Sequence, residues 1–160
     1  MVTIRTATQE DLELLIRLRM DYIAADYGEI SSTDRENILA QLPDYFRQGL
    51  EDNSFLAVLA EREGEVVSAA FLAISKKPAS VVFSTGKTGT LLNVITYPQH
   101  RRKGYASRVV SRVIEEARKL GVACIDLTAT QEGKALYHKL GFQVSTRPEM
   151  RLRLCSEEKQ

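Results

Sequence analysis

The stretch "TLLNVITYPQHRRKGYASRVVSRVIEEARKLGVACIDLTAT" (Thr90–Thr130) limits the fold more than any other part of the chain. "LLNVITY" is rich in β-branched residues and stops at Pro98, which has no amide to give a ladder. Val109, Val110, Val113, Ile114 and Ala117 then recur at helical spacing, while Arg108, Arg112 and Lys119 fall on other faces. Gly121 closes that helix and "VACIDLTAT" reads as a buried strand. Strand, turn, helix and strand make a βαβ unit, so the two strands should be parallel neighbours.

The flanks supply the other layers. "VTIR" alternates as a short strand. Thr8 caps a helix, with Asp11 in a loose capping-box relation, and Leu12, Leu15, Ile16 and Arg19 keep helical spacing to about Tyr22. Ser32 or Thr33 can cap a second helix running toward Leu42, and Pro43 should kink or restart it. Phe55–Ala60 and Val66–Ile74 read as a hairpin turning at Glu63-Gly64. Val81–Phe83 is a β-like patch within a polar connection. "EGKALYHKLGF" is a short helix closed by Gly141, and "FQVSTR" and "EMRLRL" read as two closing strands. The chain is mixed α/β.

With 160 residues and no internal repeat, one domain is expected over 1–160, its last few residues a disordered tail. A net charge of +1 gives no field that would draw the chain to nucleic acid or to a membrane surface. No stretch approaches the ~20 apolar residues of a membrane span. The N-terminus has acids early and no apolar core, so it is no signal peptide. Cys124 and Cys155 are far apart and have no metal-ligand spacing. A cytoplasmic, reduced protein without metal is expected. Cys124, among Val122, Ala123 and Ile125, reads as a buried inert thiol.

"HRRKGYA" sets cations and a glycine at the mouth of a helix. The first amides of a helix lack internal acceptors and lie at its positive end. A turn that gathers them makes an anion site. Gly104 lets the backbone approach a ligand, Ala106 is small, and Arg101, Arg102 and Lys103 can add charged hydrogen bonds. The turn is neither a dinucleotide GxGxxG nor a GxxxxGK[ST] phosphate loop.

Arg101, Gly104 and Ala106, with "LLNVITYPQH" before them and "ALYHKLGF" after, resemble the GNAT superfamily of acyl-CoA-dependent N-acyltransferases. The element order from Val2 to Leu154 fits that family. The resemblance implies a central mixed, mostly antiparallel sheet with splayed middle strands, flanked by about four helices. It implies acetyl-CoA as acyl donor, held by the backbone of Ile95, Thr96 and Tyr97 along the splayed strand. The amides of Arg102, Lys103, Gly104, Tyr105 and Ala106 would hold the pyrophosphate, with Arg101 bracing the turn or reaching the ligand's rim. Tyr137 matches the tyrosine that protonates the departing sulfur.

Two positions depart from the family pattern. The strand before the turn has no carboxylate to act as base; Asn93 stands there and could orient the amine or a water. Asp26, Glu29 and His100 are the other candidates for a base. Thr130 stands where many relatives carry a CoA-binding Asn. The resemblance places the acceptor by the first two helices and their connection, where Asp26 and Glu29 would suit a cationic amine and Tyr22 and Tyr27 its carbon chain. A small amine or amino-acid-like acceptor is expected, with a peptide or protein amine as the other choice, and a homodimer through the edge of "EMRLRL". The alternative function is an acyl-CoA sensor with little turnover.

Overall fold

The computed structural model describes residues 1–155, so the tail expected at the C-terminus lies largely outside the described residues. The chain divides into two compact units, Met1–Thr128 and a second from Ala129 onward.

The first unit holds a five-stranded sheet in chain order: β1 (Val2–Thr6), β2 (Phe55–Arg62), β3 (Glu65–Lys76), β4 (Lys87–Thr96) and β5 (Cys124–Asp126). All neighbours are antiparallel except β4 and β5, which are parallel as the βαβ reading requires. The βαβ helix is α3 (Tyr105–Lys119). Phe55–Ala60 is buried at every residue because helices cover both faces of the central strands. On one face Leu15 and Leu18 of α1 (Leu12–Tyr27) and Leu42 and Phe46 of α2 (Ser32–Asp52) pack on Phe55, Ala57, Leu59, Ala69 and Phe71. On the other, α3 lays the buried Val109, Val110, Val113 and Ala117 against β2 and β3. Phe46, Phe55 and Phe71 meet edge to face or tilted, with centroids 4.9–5.7 Å apart.

Arg5 ties β1 to its neighbours. It donates to both oxygens of Asp11 at 2.8 Å and to Glu61 at 2.7 Å. Asp11 also accepts from the Thr8 amide at 2.8 Å, completing the capping box on a 3-10 turn (Gln9–Asp11) that leads into α1. The Arg5 hydrogen bond, above all, holds the Asp11 carboxyl below its ordinary range.

Several local expectations change. α1 runs to Tyr27, beyond Tyr22, because Ile23 extends the buried stripe before the Gly28 amide closes on Ala24. Ser31 caps α2, and the helix passes through Pro43 unbroken to Asp52. Leu42 and Phe46, both buried, anchor the turns on either side of the proline. Gly49 lets α2 approach the sheet; a Cβ there would lie 2.5 Å from that of Phe55. β4 begins at Lys87 rather than Leu91, and Val81–Phe83 forms no strand but lies in a turn with Ser80 and Gly86. β5 is only three residues long and half-buried, so Cys124 is not deeply buried; partial burial, then Asp126, raises its thiol above the ordinary range.

The second unit contains α4 (Lys134–Lys139). No strand follows it among the described residues. Ser145 folds the chain back on Arg147, accepting from its amide and donating to its carbonyl, and Pro148 then removes a ladder donor. Met150, Leu152 and Leu154 are left exposed, which removes the edge on which a homodimer was expected. No helix among the described residues is long and apolar enough to cross a membrane.

Candidate active site

β5 pairs with β4 only from Thr88 to Thr90, and β4 then runs on from Leu91 to Thr96 with no strand on that side within the first unit. This is the splay. In the same stretch the β3–β4 register shifts between Ala69 and Phe71, and Asn93 takes φ 57°. The extra residue is a β-bulge, a device that bends a strand and re-aims its groups. Asn tolerates the left-handed region better than most residues. Its buried amide is satisfied from α1: Nδ2 donates to the Leu18 carbonyl and Oδ1 accepts from Arg19 Nη1, both at 3.2 Å.

Beyond the bulge the backbone groups alternate. The Tyr97 amide turns inward to the Val67 carbonyl at 3.1 Å. Thr96, one residue earlier, faces the open side, and its carbonyl accepts from Arg101 Nε at 3.0 Å. Arg101 therefore braces the turn back onto β4. The Ile95 side chain sits in the core and its carbonyl accepts from Ser68 Oγ. Tyr97 Oη donates to Asp21 at 2.6 Å; burial, and then Asp21, hold the phenol far above its ordinary value.

A 3-10 turn (Pro98–His100) follows, and then the cationic turn. Arg102 and Gly104 both lie in the left-handed region, at φ 64° and 80°, with Lys103 between them outside it. Such alternation curls successive amides into an anion-binding hollow. Gly104 caps α3, and the amides of Tyr105, Ala106 and Ser107 precede the first helical bond, Arg108 to Gly104. A Cβ built on Gly104 meets no atom within 4 Å. Arg101, Arg102 and Lys103 are exposed, whereas the buried Tyr105 ring fixes the helix start.

Two clefts lie on the α1 face. One, of about 510 Å³, is lined by Arg17, Asp21, Glu61, Glu65, Tyr97 and His100. The other, about 160 Å³, lies between α1, α2 and the sheet, with Arg19, Tyr45, Phe71 and Leu92 on its walls.

In the second unit the Thr130 hydroxyl accepts from the Gly133 amide at 3.1 Å, folding the approach to α4. Tyr137 is half-buried. Its ring meets Phe142 at 5.7 Å, and its edge passes Gly133 so closely that a Cβ there would lie 3.1 Å from it.

The acetyltransferase (GNAT) family profile matches residues 18–142, a span that holds the bulge, the cationic turn and Tyr137. The chain belongs to this family. Similar folds include a predicted acetyltransferase from Clostridium acetobutylicum solved with acetyl-CoA, 27% identical, covering 96% of each chain, TM-score 0.82. A GCN5-related N-acetyltransferase from Ralstonia eutropha is 23% identical over 95% of this chain and 99% of its own, TM-score 0.78. Glucosamine-6-phosphate N-acetyltransferase from Arabidopsis thaliana is 18% identical over 95% and 98%, TM-score 0.68. No curated protein matches the sequence.

Within this GNAT fold the residues expected to hold the donor, Ile95–Tyr97 and Arg101–Ala106, follow one track along the chain from the splayed strand to the helix mouth. Of Ile95, Thr96 and Tyr97, however, only Thr96 turns its backbone to the open side, because the Ile95 carbonyl and the Tyr97 amide are engaged by Ser68 and Val67 of β3. Tyr22 is half-buried beside the core; burial, then Asp26, raises its phenol. Asp26, Tyr27 and Glu29 are exposed at the end of α1 and just after it. His100 lies on the wall of the larger cleft with Nδ1 buried and without a hydrogen-bond partner among the described residues. The sequence reading passed over Arg19 and Tyr45. The signal for Arg19 was present: it is a cation on the otherwise apolar stripe of Leu12, Leu15 and Ile16.

Proposed function

We propose that this GNAT chain transfers an acetyl group from acetyl-CoA to a primary amine by direct attack in a ternary complex. The observation that carries the reading is the track just described: an unpaired strand edge leading into a hollow of amides at the start of α3. An unpaired edge accepts an extended amide chain, and a helix mouth accepts phosphate. The open space at Gly104 and the exposed cations around it suit a pyrophosphate.

The donor supplies the thioester that the amine attacks. The chain's part is to hold and orient both substrates in one cleft, which contributes much of the rate in such transfers. Arg102–Ala106 bind the pyrophosphate through backbone amides, and Thr96 offers backbone to the pantetheine arm. Tyr137 gives its phenolic proton to the departing sulfur as the C–S bond breaks and the C–N bond forms, and the proton shed by the amine nitrogen restores the phenol. Asn93 acts through position: its amide is engaged by Leu18 and Arg19, so it shapes the bulge and takes no proton. Thr130 orders the entry to the helix that carries Tyr137. The acceptor is a small amine or amino-acid-like molecule.

The test is thiol release from acetyl-CoA across a panel of amines, with mass spectrometry of each amine. Acetylation of at least one small amine, with stoichiometric CoA release, is expected. Tight acetyl-CoA binding with no release on any amine would replace this reading with an acyl-CoA sensor.

A further inference from the structure

The smaller cleft has a feature that a packing defect lacks. Arg19 lines it, half-buried, on a helix face that otherwise feeds the core. Its guanidinium makes one side-chain hydrogen bond, from Nη1 to Asn93, and joins none of the ion pairs among the described residues. A guanidinium carries five N–H donors in a fork suited to a carboxylate. Withdrawing a cation from water without an anion is unfavourable. The geometry therefore provides a charge and leaves its partner to come from outside.

Apart from Gln41 of α2, the rest of the wall is apolar and aromatic. Tyr45, Phe46, Phe55 and Phe71 line the recess with Leu92 of β4. At about 160 Å³ it is close to the ~150 Å³ engineered cavity that takes benzene. Leu92 precedes the bulge residue, on the stretch of β4 that has lost its β5 neighbour. The recess thus adjoins the strand to which the acetyl-transfer reading assigns the donor. A second cation at this spot would be repelled by Arg19, which disfavours lysine side chains and polyamines.

We propose that Arg19 and this recess form the acceptor subsite, and that the acceptor is an apolar α-amino acid. Its carboxylate pairs with Arg19, and its phenyl-sized or branched side chain fills the recess. The proposal rests on the acetyl-transfer reading for its chemistry but not for its binding. A peptide N-terminus presents an amide where the carboxylate is needed, so it binds poorly.

The experiment compares L-phenylalanine with phenethylamine, which lacks only the carboxylate, on the full protein. Thermal shift reads binding and CoA release reads turnover. Wild-type protein should favour L-phenylalanine in kcat/KM by roughly 10- to 150-fold, the range for a hydrogen bond to a charged group. Arg19→Gln should collapse that ratio toward one; a merely structural Arg19 would lower both rates and keep the ratio. If Arg19→Gln does not fold, the wild-type ratio alone decides. Equal use of the two amines, or CoA release on lysine and polyamines but not on apolar amino acids, overturns the subsite and leaves acetyl transfer standing. If no amine releases CoA, a thermal shift by L-phenylalanine absent with phenethylamine keeps the subsite while acetyl transfer falls. No shift by either overturns both.

Discussion

Replacing Gly104 with valine separates the turn's role in folding from its role in binding. Gly104 sits at φ 80°, where an L residue is strained by about 1–2 kcal/mol. No atom lies within 4 Å of the new Cβ, so no clash adds to that strain. For a chain of this size such a loss lowers Tm by about 2–4 °C per kcal/mol, and the fold survives. The open space is also where the pyrophosphate is assigned, so the valine methyls displace it from the amides of α3. Losing one charge-assisted hydrogen bond weakens binding by about 1.5–3 kcal/mol, or roughly 10- to 150-fold at 1.4 kcal/mol per decade. Calorimetric titration with acetyl-CoA reads this directly. Acetyl-pantetheine, which lacks the pyrophosphate, is the control and should bind both proteins alike. A folded Gly104→Val protein with unchanged acetyl-CoA affinity would refute the phosphate-turn assignment.

Tyr137→Phe should lower the single-turnover rate by about 10²–10⁴-fold with little change in acetyl-CoA affinity; a full-rate variant would remove Tyr137 as the acid. Asp11→Asn should destabilise the protein at neutral pH by roughly 1–3 kcal/mol through loss of charged hydrogen bonds. Asp11 has a depressed folded pKa, so its contribution is complete above the ordinary carboxylate range and fades as pH falls through the lowered value. Urea titrations should show the wild-type advantage narrowing on acidification, and a gap that widens would contradict this. Asn93→Val should reduce stability by more than about 2 kcal/mol, from strain at φ 57° and unpaired groups on α1, detectable as a lower urea midpoint.

The fold was legible wherever local pattern and tertiary burial agree. Val109–Ala117 and Phe55–Ala60 announce themselves by periodicity or by an unbroken apolar run, and the βαβ order then requires β4 and β5 to be parallel. Element ends were less legible, because distant packing sets them: Ile23 carries α1 onward, and Leu42 with Phe46 carries α2 past Pro43. "EMRLRL" shows alternation misleading on its own, since a strand needs a neighbour and the turn at Ser145–Arg147 and Pro148 intervene. The shape of the cationic turn was legible because Gly104 sets it locally: the residue takes the left-handed conformation and opens α3. Arg19 and Tyr45 could not be joined from sequence, since only the packing of α1 and α2 on the sheet brings them to one recess.

The most direct measurement is a crystal structure of the protein saturated with acetyl-CoA. The account predicts pyrophosphate oxygens within about 3 Å of the amides of Arg102–Ala106, and the pantetheine arm alongside Thr96 on the unpaired edge of β4. Acetyl-CoA bound elsewhere, or a turn left unoccupied at saturation, would contradict it.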